Sequence, residues 1–187
     1  MKPRHIPNTI SILRILLVIP IMILLIREEY QLVLLLFAVA GFSDGLDGYL
    51  ARRFNWRSRL GALLDPLGDK LLLVGVYLVL GWSSLLPWWL VGLVILRDVV
   101  IVGGALGYRH LCGELAMEPT LISKINTLLQ ILLGLLVIAA AMMWALPAWS
   151  LQLMVMLVAV TTVWSGLDYV LRWGARARLC HSTREGK

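Results

Sequence analysis

Six runs of predominantly apolar residues, near 10–27, 30–50, 60–81, 88–108, 124–144 and 150–171, are each about as long as a bilayer's hydrocarbon core is thick. Backbone amides inside lipid must bond within their own segment, so runs of this length are helices or they are nothing stable. The expectation is therefore an all-α integral membrane bundle of six transmembrane helices. It forms one domain over residues 1–187, with a short N-terminal segment at 1–9 and a basic, mobile tail at 173–187. Composition agrees, because 60% hydrophobic against 15% charged residues leaves too little polar surface to clothe a water-soluble globule.

Positive charge orients the bundle. Lys2 and Arg4, then Arg52, Arg53, Arg57 and Arg59, then Arg109 and Lys124, and finally the Arg-rich tail all fall on one side of the six runs, which leaves only Arg27 on the other. Both termini are thus expected in the cytoplasm. Trp82, Trp88, Trp89, Trp144 and Trp149 fall at the opposite ends of the runs, where amphipathic rings anchor at the interface. No cleavage site follows the first run and no transit-peptide pattern appears, which points to a retained first helix and a bacterial inner membrane. The net charge of +6 suits anionic headgroups, and nucleic acid is not expected as a partner. Cys112 and Cys180, both on the reducing side and without metal-ligand spacing, are expected to be free thiols without chemistry.

Against this apolar background four carboxylates stand out: Asp44, Asp47, Asp65 and Asp69. Charge at membrane depth costs upward of about 2.5 kcal/mol per group at a span centre, so it is paired and functional where it occurs. The members of each pair are three or four residues apart, hence on one helix face, and the pairs lie on consecutive antiparallel helices joined by a short loop. Four neighbouring carboxylates repel unless protonated or bridged by cations. An all-oxygen set without His or Cys suits hard divalent ions, Mg²⁺, Mn²⁺ or Ca²⁺, rather than zinc. Four carboxylates suffice for two ions, and two-metal sites commonly drive displacement at phosphorus.

Gly41, Gly45, Gly48, Ala51, Gly61 and Gly68 would leave an open groove beside the acids, and Arg52 could offer a planar fork to a phosphate. Taken singly, these features have plainer meanings. Glycines three or four apart in a span serve close helix packing. The four arginines of 52–59 serve topology. The joint pattern is what points to a ligand.

Written out, the stretch is D-x-x-D-G-x-x-A-R, eight residues, then G-x-x-x-D-x-x-x-D. It resembles, at all eight fixed positions, the signature of the CDP-alcohol phosphatidyltransferases. The resemblance implies a six-helix membrane enzyme that binds CDP-diacylglycerol at the cytoplasmic face and displaces CMP with an alcohol. It implies two divalent ions, Mg²⁺ or Mn²⁺ with Ca²⁺ or Co²⁺ as substitutes in vitro, held by Asp44, Asp47, Asp65 and Asp69, with Asp69 also the base toward the attacking hydroxyl. Gly48, Ala51, Arg52 and Gly61 would cradle the cytidine diphosphate. Relatives are homodimers, and a homodimer is expected.

The remaining question is the acceptor alcohol. "HIPNTISILRI", with Arg14, is similar to the opening of both the phosphatidylglycerophosphate synthases and the CMP-forming cardiolipin synthases. "LRDVVIV" puts Arg97 and Asp98 well inside the fourth run, where they must pair or line a polar cavity. "EPTLISKINTLLQ" resembles the P-T-x-I-S-K-x-N-T-x-x-Q run of the cardiolipin synthases, the other group having Lys where this chain has Asn126. Arg14, Arg97 and Lys124 could form an anion pocket. A phosphomonoester such as glycerol 3-phosphate carries nearly two charges and a diester one, so Asn126 in place of a second Lys favours phosphatidylglycerol. The expected products are cardiolipin and CMP, with phosphatidylglycerophosphate synthesis as the alternative. The plainer reading of Asn126 is that it only hydrogen-bonds within the bundle.

Two other classes compete. An ion transporter would also carry acids in its spans, but these acids gather near one interface and no acid marks a path across the outer half. A scaffold that had lost the chemistry would not be expected to keep so costly a cluster whole. Asp168, near the end of the sixth run, is expected to pair with a nearby arginine and to have no catalytic part.

Overall fold

A computed structural model describes residues 6–54, 61–112, 120–142 and 147–185. The side chains of 6–11, Arg14, 44–52, 61–67, 105–112, Ala148 and 173–185 lie outside that description. The described residues form six α-helices and no strand: α1 (Ile6–Ile26), α2 (Tyr30–Arg53), α3 (Gly61–Trp82), α4 (Trp88–Cys112), α5 (Leu121–Ala141) and α6 (Ala148–Glu185). Each corresponds to one apolar run of the sequence. Among the described residues two stretches, Leu121–Ala141 and Trp149–Arg172, are long and apolar enough by themselves to cross a membrane.

The helix ends follow local chemistry. Thr120 caps α5, its Oγ1 accepting from the Ser123 amide at 3.2 Å. Pro147 precedes α6, and its carbonyl accepts from the Ser150 amide at 2.9 Å. Both α1 and α3 stop at a left-handed residue, Glu28 (φ 61°) and Ser84 (φ 59°). In each case the next amide reaches back five residues, Glu29 to the Leu24 carbonyl and Leu85 to the Leu80 carbonyl, both at 2.9 Å. This is the Schellman closure, built here without the glycine that usually relieves the left-handed position.

The chain divides into two compact units. The first contains residues 1–86 and 134–145, the second 87–133 and 146–187, so that α5 contributes to both. In the first unit α1 packs against α2 and α3. Val18, Ile21 and Leu25 of α1, Val33 and Ala40 of α2, and Leu73, Val76, Tyr77 and Leu80 of α3 are buried at helical spacing. Gly75 marks a close approach of α3 to α1, since a Cβ there would lie 3.0 Å from Met22 Sδ and 3.4 Å from Val18 Cγ1. In the second unit α4 packs on α6. Leu90, Val91 and Val94 are buried on α4, and a stripe of Val158, Thr162, Ser165 and Tyr169 on α6. The outward face of α6 carries Val160, Val163, Trp164 and Leu167, which with α4 border an apolar groove of about 680 Å³.

The backbone from Trp173 onward continues α6 as helix through Glu185. Ala175, Arg176, Ala177, Arg178 and Leu179 are strong helix formers, and they extend a helix already nucleated inside the bundle.

Candidate functional site

The four acids lie at the end of one helix and the start of the next. Asp44 and Asp47 belong to the last turns of α2, which ends at Arg53, and Asp65 and Asp69 to the first turns of α3, which begins at Gly61. Both helices pack on α1. The spacings of three and four residues therefore do fall on helix, as the carboxylate pairing requires. Asp69 is exposed on α3 and engages a partner, beside the half-buried Lys70. The side chains of Asp44, Asp47, Gly48, Ala51, Arg52, Gly61 and Asp65 lie outside the described residues, as does that of Arg14 on α1. Among the described residues no cluster of three or more potential metal ligands occurs, three of the four expected ligands being outside them. The donor chemistry nonetheless fits hard divalent ions, being carboxylate alone on two neighbouring helix ends.

The glycines divide into two kinds. A Cβ on Gly41 would meet nothing within 4 Å, which keeps α2 open on that side just before the acids. Gly75, further along α3, is a packing glycine.

The second unit holds a buried polar stripe across three helices. Arg97 on α4, only 6% exposed, pairs with its neighbour Asp98, 12% exposed, through Nη1 to Oδ1 at 2.6 Å. Its Nε and Nη2 both donate to Ser165 Oγ on α6, at 3.3 and 2.8 Å, and Nη2 also donates to Ser123 Oγ on α5 at 2.5 Å. A guanidinium in lipid is tolerable only when its charge and donors are met in this way. The aliphatic stem runs past Gly166, where a Cβ would stand 3.7 Å from Arg97 Cγ.

Next to this lies a second polar set. Asn126 of α5 is fully buried, and its Oδ1 is 2.9 Å from the hydroxyls of both Thr161 and Thr162 on α6. Gln130, one turn further, donates to Thr162 Oγ1 at 3.4 Å. Thr161 Oγ1 also lies 2.8 Å from the Leu157 carbonyl and 3.2 Å from the Val158 carbonyl, and with one proton to give, it divides among the three acceptors. The Asn126 Nδ2 is buried without a hydrogen-bond partner. This geometry gives Asn126 a tie between α5 and α6, the plainer of its two sequence readings; a direct contact with an acceptor would rest on Nδ2. Lys124, two residues earlier, is exposed.

Thr161, Thr162 and Ser165 escaped the sequence reading, which gave the sixth run no role beyond spanning. The signal was there: hydroxyls at 161, 162 and 165 in an otherwise apolar stretch recur at one helical turn. Asp168 lies further along the same helix and accepts from Arg172 Nε at 2.7 Å, the pairing expected of it.

The family model for CDP-alcohol phosphatidyltransferase matches residues 4–164. The chain is 36% identical over 184 residues to a human protein named cardiolipin synthase (CMP-forming), covering 90% of this chain and 61% of that one. It is 32% identical over 193 residues to a chloroplastic CDP-diacylglycerol–glycerol-3-phosphate 3-phosphatidyltransferase of Oryza sativa subsp. japonica, covering 90% and 57%. A putative cardiolipin synthase of Mycobacterium tuberculosis is 39% identical over 102 residues, 52% of this chain and 47% of that one. The chain thus spans less than two thirds of the length of these relatives.

Proposed function

Because the chain belongs to the CDP-alcohol phosphatidyltransferase family, we propose that it is a CMP-forming cardiolipin synthase, transferring the phosphatidyl group of CDP-diacylglycerol to phosphatidylglycerol. In this reading the six helices all span a bacterial cytoplasmic membrane, with both termini and the four acids on the basic, cytoplasmic side. The one-sided Lys and Arg distribution and the mycobacterial relative support it. The chain works as a homodimer, which light scattering of the purified protein tests.

Asp44, Asp47, Asp65 and Asp69 hold two Mg²⁺ or Mn²⁺ ions, which when bound supply Lewis acidity toward the diphosphate. Gly48, Ala51 and Gly61 let the nucleotide approach the backbone, and Arg52 forks a phosphate oxygen. Asp69 orients the glycerol hydroxyl of phosphatidylglycerol and takes its proton as the new P–O bond forms and the bond to CMP breaks. Arg97 and Lys124 of the second unit are assigned to the acceptor's phosphate, and Arg14 of the first unit is a further candidate for an anion.

The observation that carries the choice of acceptor is the neutrality of position 126. Asn126 is neutral, so the turn of α5 that carries Lys124 brings one cation rather than two. Such a pocket suits the single charge of a diester better than the near-double charge of glycerol 3-phosphate. The test is CMP release and lipid products from the purified chain given CDP-diacylglycerol, Mg²⁺ or Mn²⁺, and one acceptor at a time. Cardiolipin from phosphatidylglycerol alone is expected. Phosphatidylglycerophosphate from glycerol 3-phosphate alone would replace the acceptor and keep the family.

A further inference from the structure

The guanidinium of Arg97 has five N–H donors, and four are committed. Nε and one donor of Nη2 converge on Ser165 Oγ, the other donor of Nη2 goes to Ser123 Oγ, and one donor of Nη1 goes to Asp98. The Nε–Nη2 edge, where an arginine ordinarily forks a phosphate, is thus filled by a serine hydroxyl. One N–H of Nη1 remains. Arg97 can therefore give an anion a single directed bond, and only in the direction the two serines set.

We propose that Ser165, together with Ser123, is a positioning residue that fixes the guanidinium plane of Arg97, so that its one remaining Nη1 donor addresses the phosphodiester of the acceptor lipid. This rests on the reading of Arg97 as an acceptor-binding residue. Hydroxyls suit the task because they accept from the guanidinium without adding negative charge to that already brought by Asp98. Gly166 completes the cradle by letting the Arg97 stem lie along α6 at van der Waals distance. Ser165 is fully buried and its contacts come from α4, so its hydroxyl acts on the acceptor only through Arg97.

The experiment is steady-state kinetics of the full chain in detergent, with the KM measured for whichever phosphorylated alcohol the unaltered chain uses. Ser165→Ala is expected to raise the acceptor KM about tenfold, the equivalent of one charge-assisted hydrogen bond. The KM for CDP-diacylglycerol and kcat at saturation should stay within about twofold. Ser123→Ala should act in the same direction, and Ser123→Thr, at a half-buried position, should restore the parent value. Thr162→Val removes a buried hydroxyl one turn away that does not touch Arg97, and should leave the acceptor KM alone. In an Arg97→Lys background, which keeps the charge without the fork, Ser165→Ala should add less than twofold. An equal rise with Thr162→Val, or a full tenfold rise from Ser165→Ala on top of Arg97→Lys, would overturn the positioning role. An acceptor KM unmoved by Arg97→Lys and Arg97→Ala alike would instead remove the acceptor reading of Arg97, and the positioning role with it. A KM sensitive to Arg97 and indifferent to both serines would remove the positioning role alone.

Discussion

The two units of this chain bury different kinds of matter. In the first, the buried side chains among the described residues of α1, α2 and α3 are apolar apart from the hydroxyl of Tyr77, and the helices meet through close packing at Gly75. In the second, Arg97, Asn126, Gln130, Thr162 and Ser165 are all buried, and hydrogen bonds tie α4, α5 and α6 together. Lipid offers no hydrophobic drive for helices to associate, so a membrane bundle holds by fit or by polar bonds. This chain uses fit beneath its acidic helix ends and polar bonds where the proposed acceptor phosphate is met. The acids of the first unit therefore stand on a scaffold made mainly by shape. The cation of the second must be held by partners that also specify its direction.

The largest test of that contrast is chemical. Asp69→Asn should lower CMP release by about a thousandfold while CDP-diacylglycerol still binds, since the scaffold beneath it does not depend on the charge. Activity within tenfold of the parent would remove Asp69 as the base. Next, Arg97→Met should destabilise the second unit by about 3–5 kcal/mol, because it removes one partner of a largely buried ion pair. The double change Arg97→Met/Asp98→Leu should recover most of that in chemical denaturation. Stability as low in the double variant as in the single would show that the serine contacts, not the ion pair, hold the unit.

Two smaller changes are predicted to cost about the same, 1–3 kcal/mol each, for opposite reasons. Gly75→Leu overfills the α1–α3 contact, and Met22→Ala should relieve it. Thr162→Val removes one hydrogen bond each from Gln130 and Asn126, which no change of size repairs. Relief of Thr162→Val by shrinking a neighbour would erase the distinction between the units. Smallest of all, Ser84→Gly should stabilise by about 0.4–1 kcal/mol, since the left-handed turn costs glycine nothing. Thermal unfolding in detergent would register it as a modest rise in midpoint.

The helices and the acidic pattern were open to reading from the sequence because both are local. A run of twenty apolar residues and a carboxylate spacing of three or four depend on nothing distant. Asn126 and Ser165 were not readable in the same way. Whether a neutral polar side chain faces a ligand, lipid or a neighbouring helix depends on which helix lies opposite, and that is a property of the assembled unit. Arg97 lay between these cases: its cost in a span announced a partner, and Asp98 was the nearest, but the two serines 26 and 68 residues away were not in view. The left-handed residues Glu28 and Ser84 gave no sign either, because the usual marker of such a turn is glycine or asparagine.

The continuation of α6 gives the basic C-terminal region a phase. At 38 residues the helix is about 57 Å long, nearly twice the thickness of a hydrocarbon core of about 30 Å. Had the region after Trp173 been irregular, inserting one residue there would change only its reach. On a continuous helix the same insertion turns every later position by about 100° around the axis, whereas an insertion of about eighteen residues, five whole turns, restores the bearing. The backbone positions of this region thus keep the register of the sixth helix.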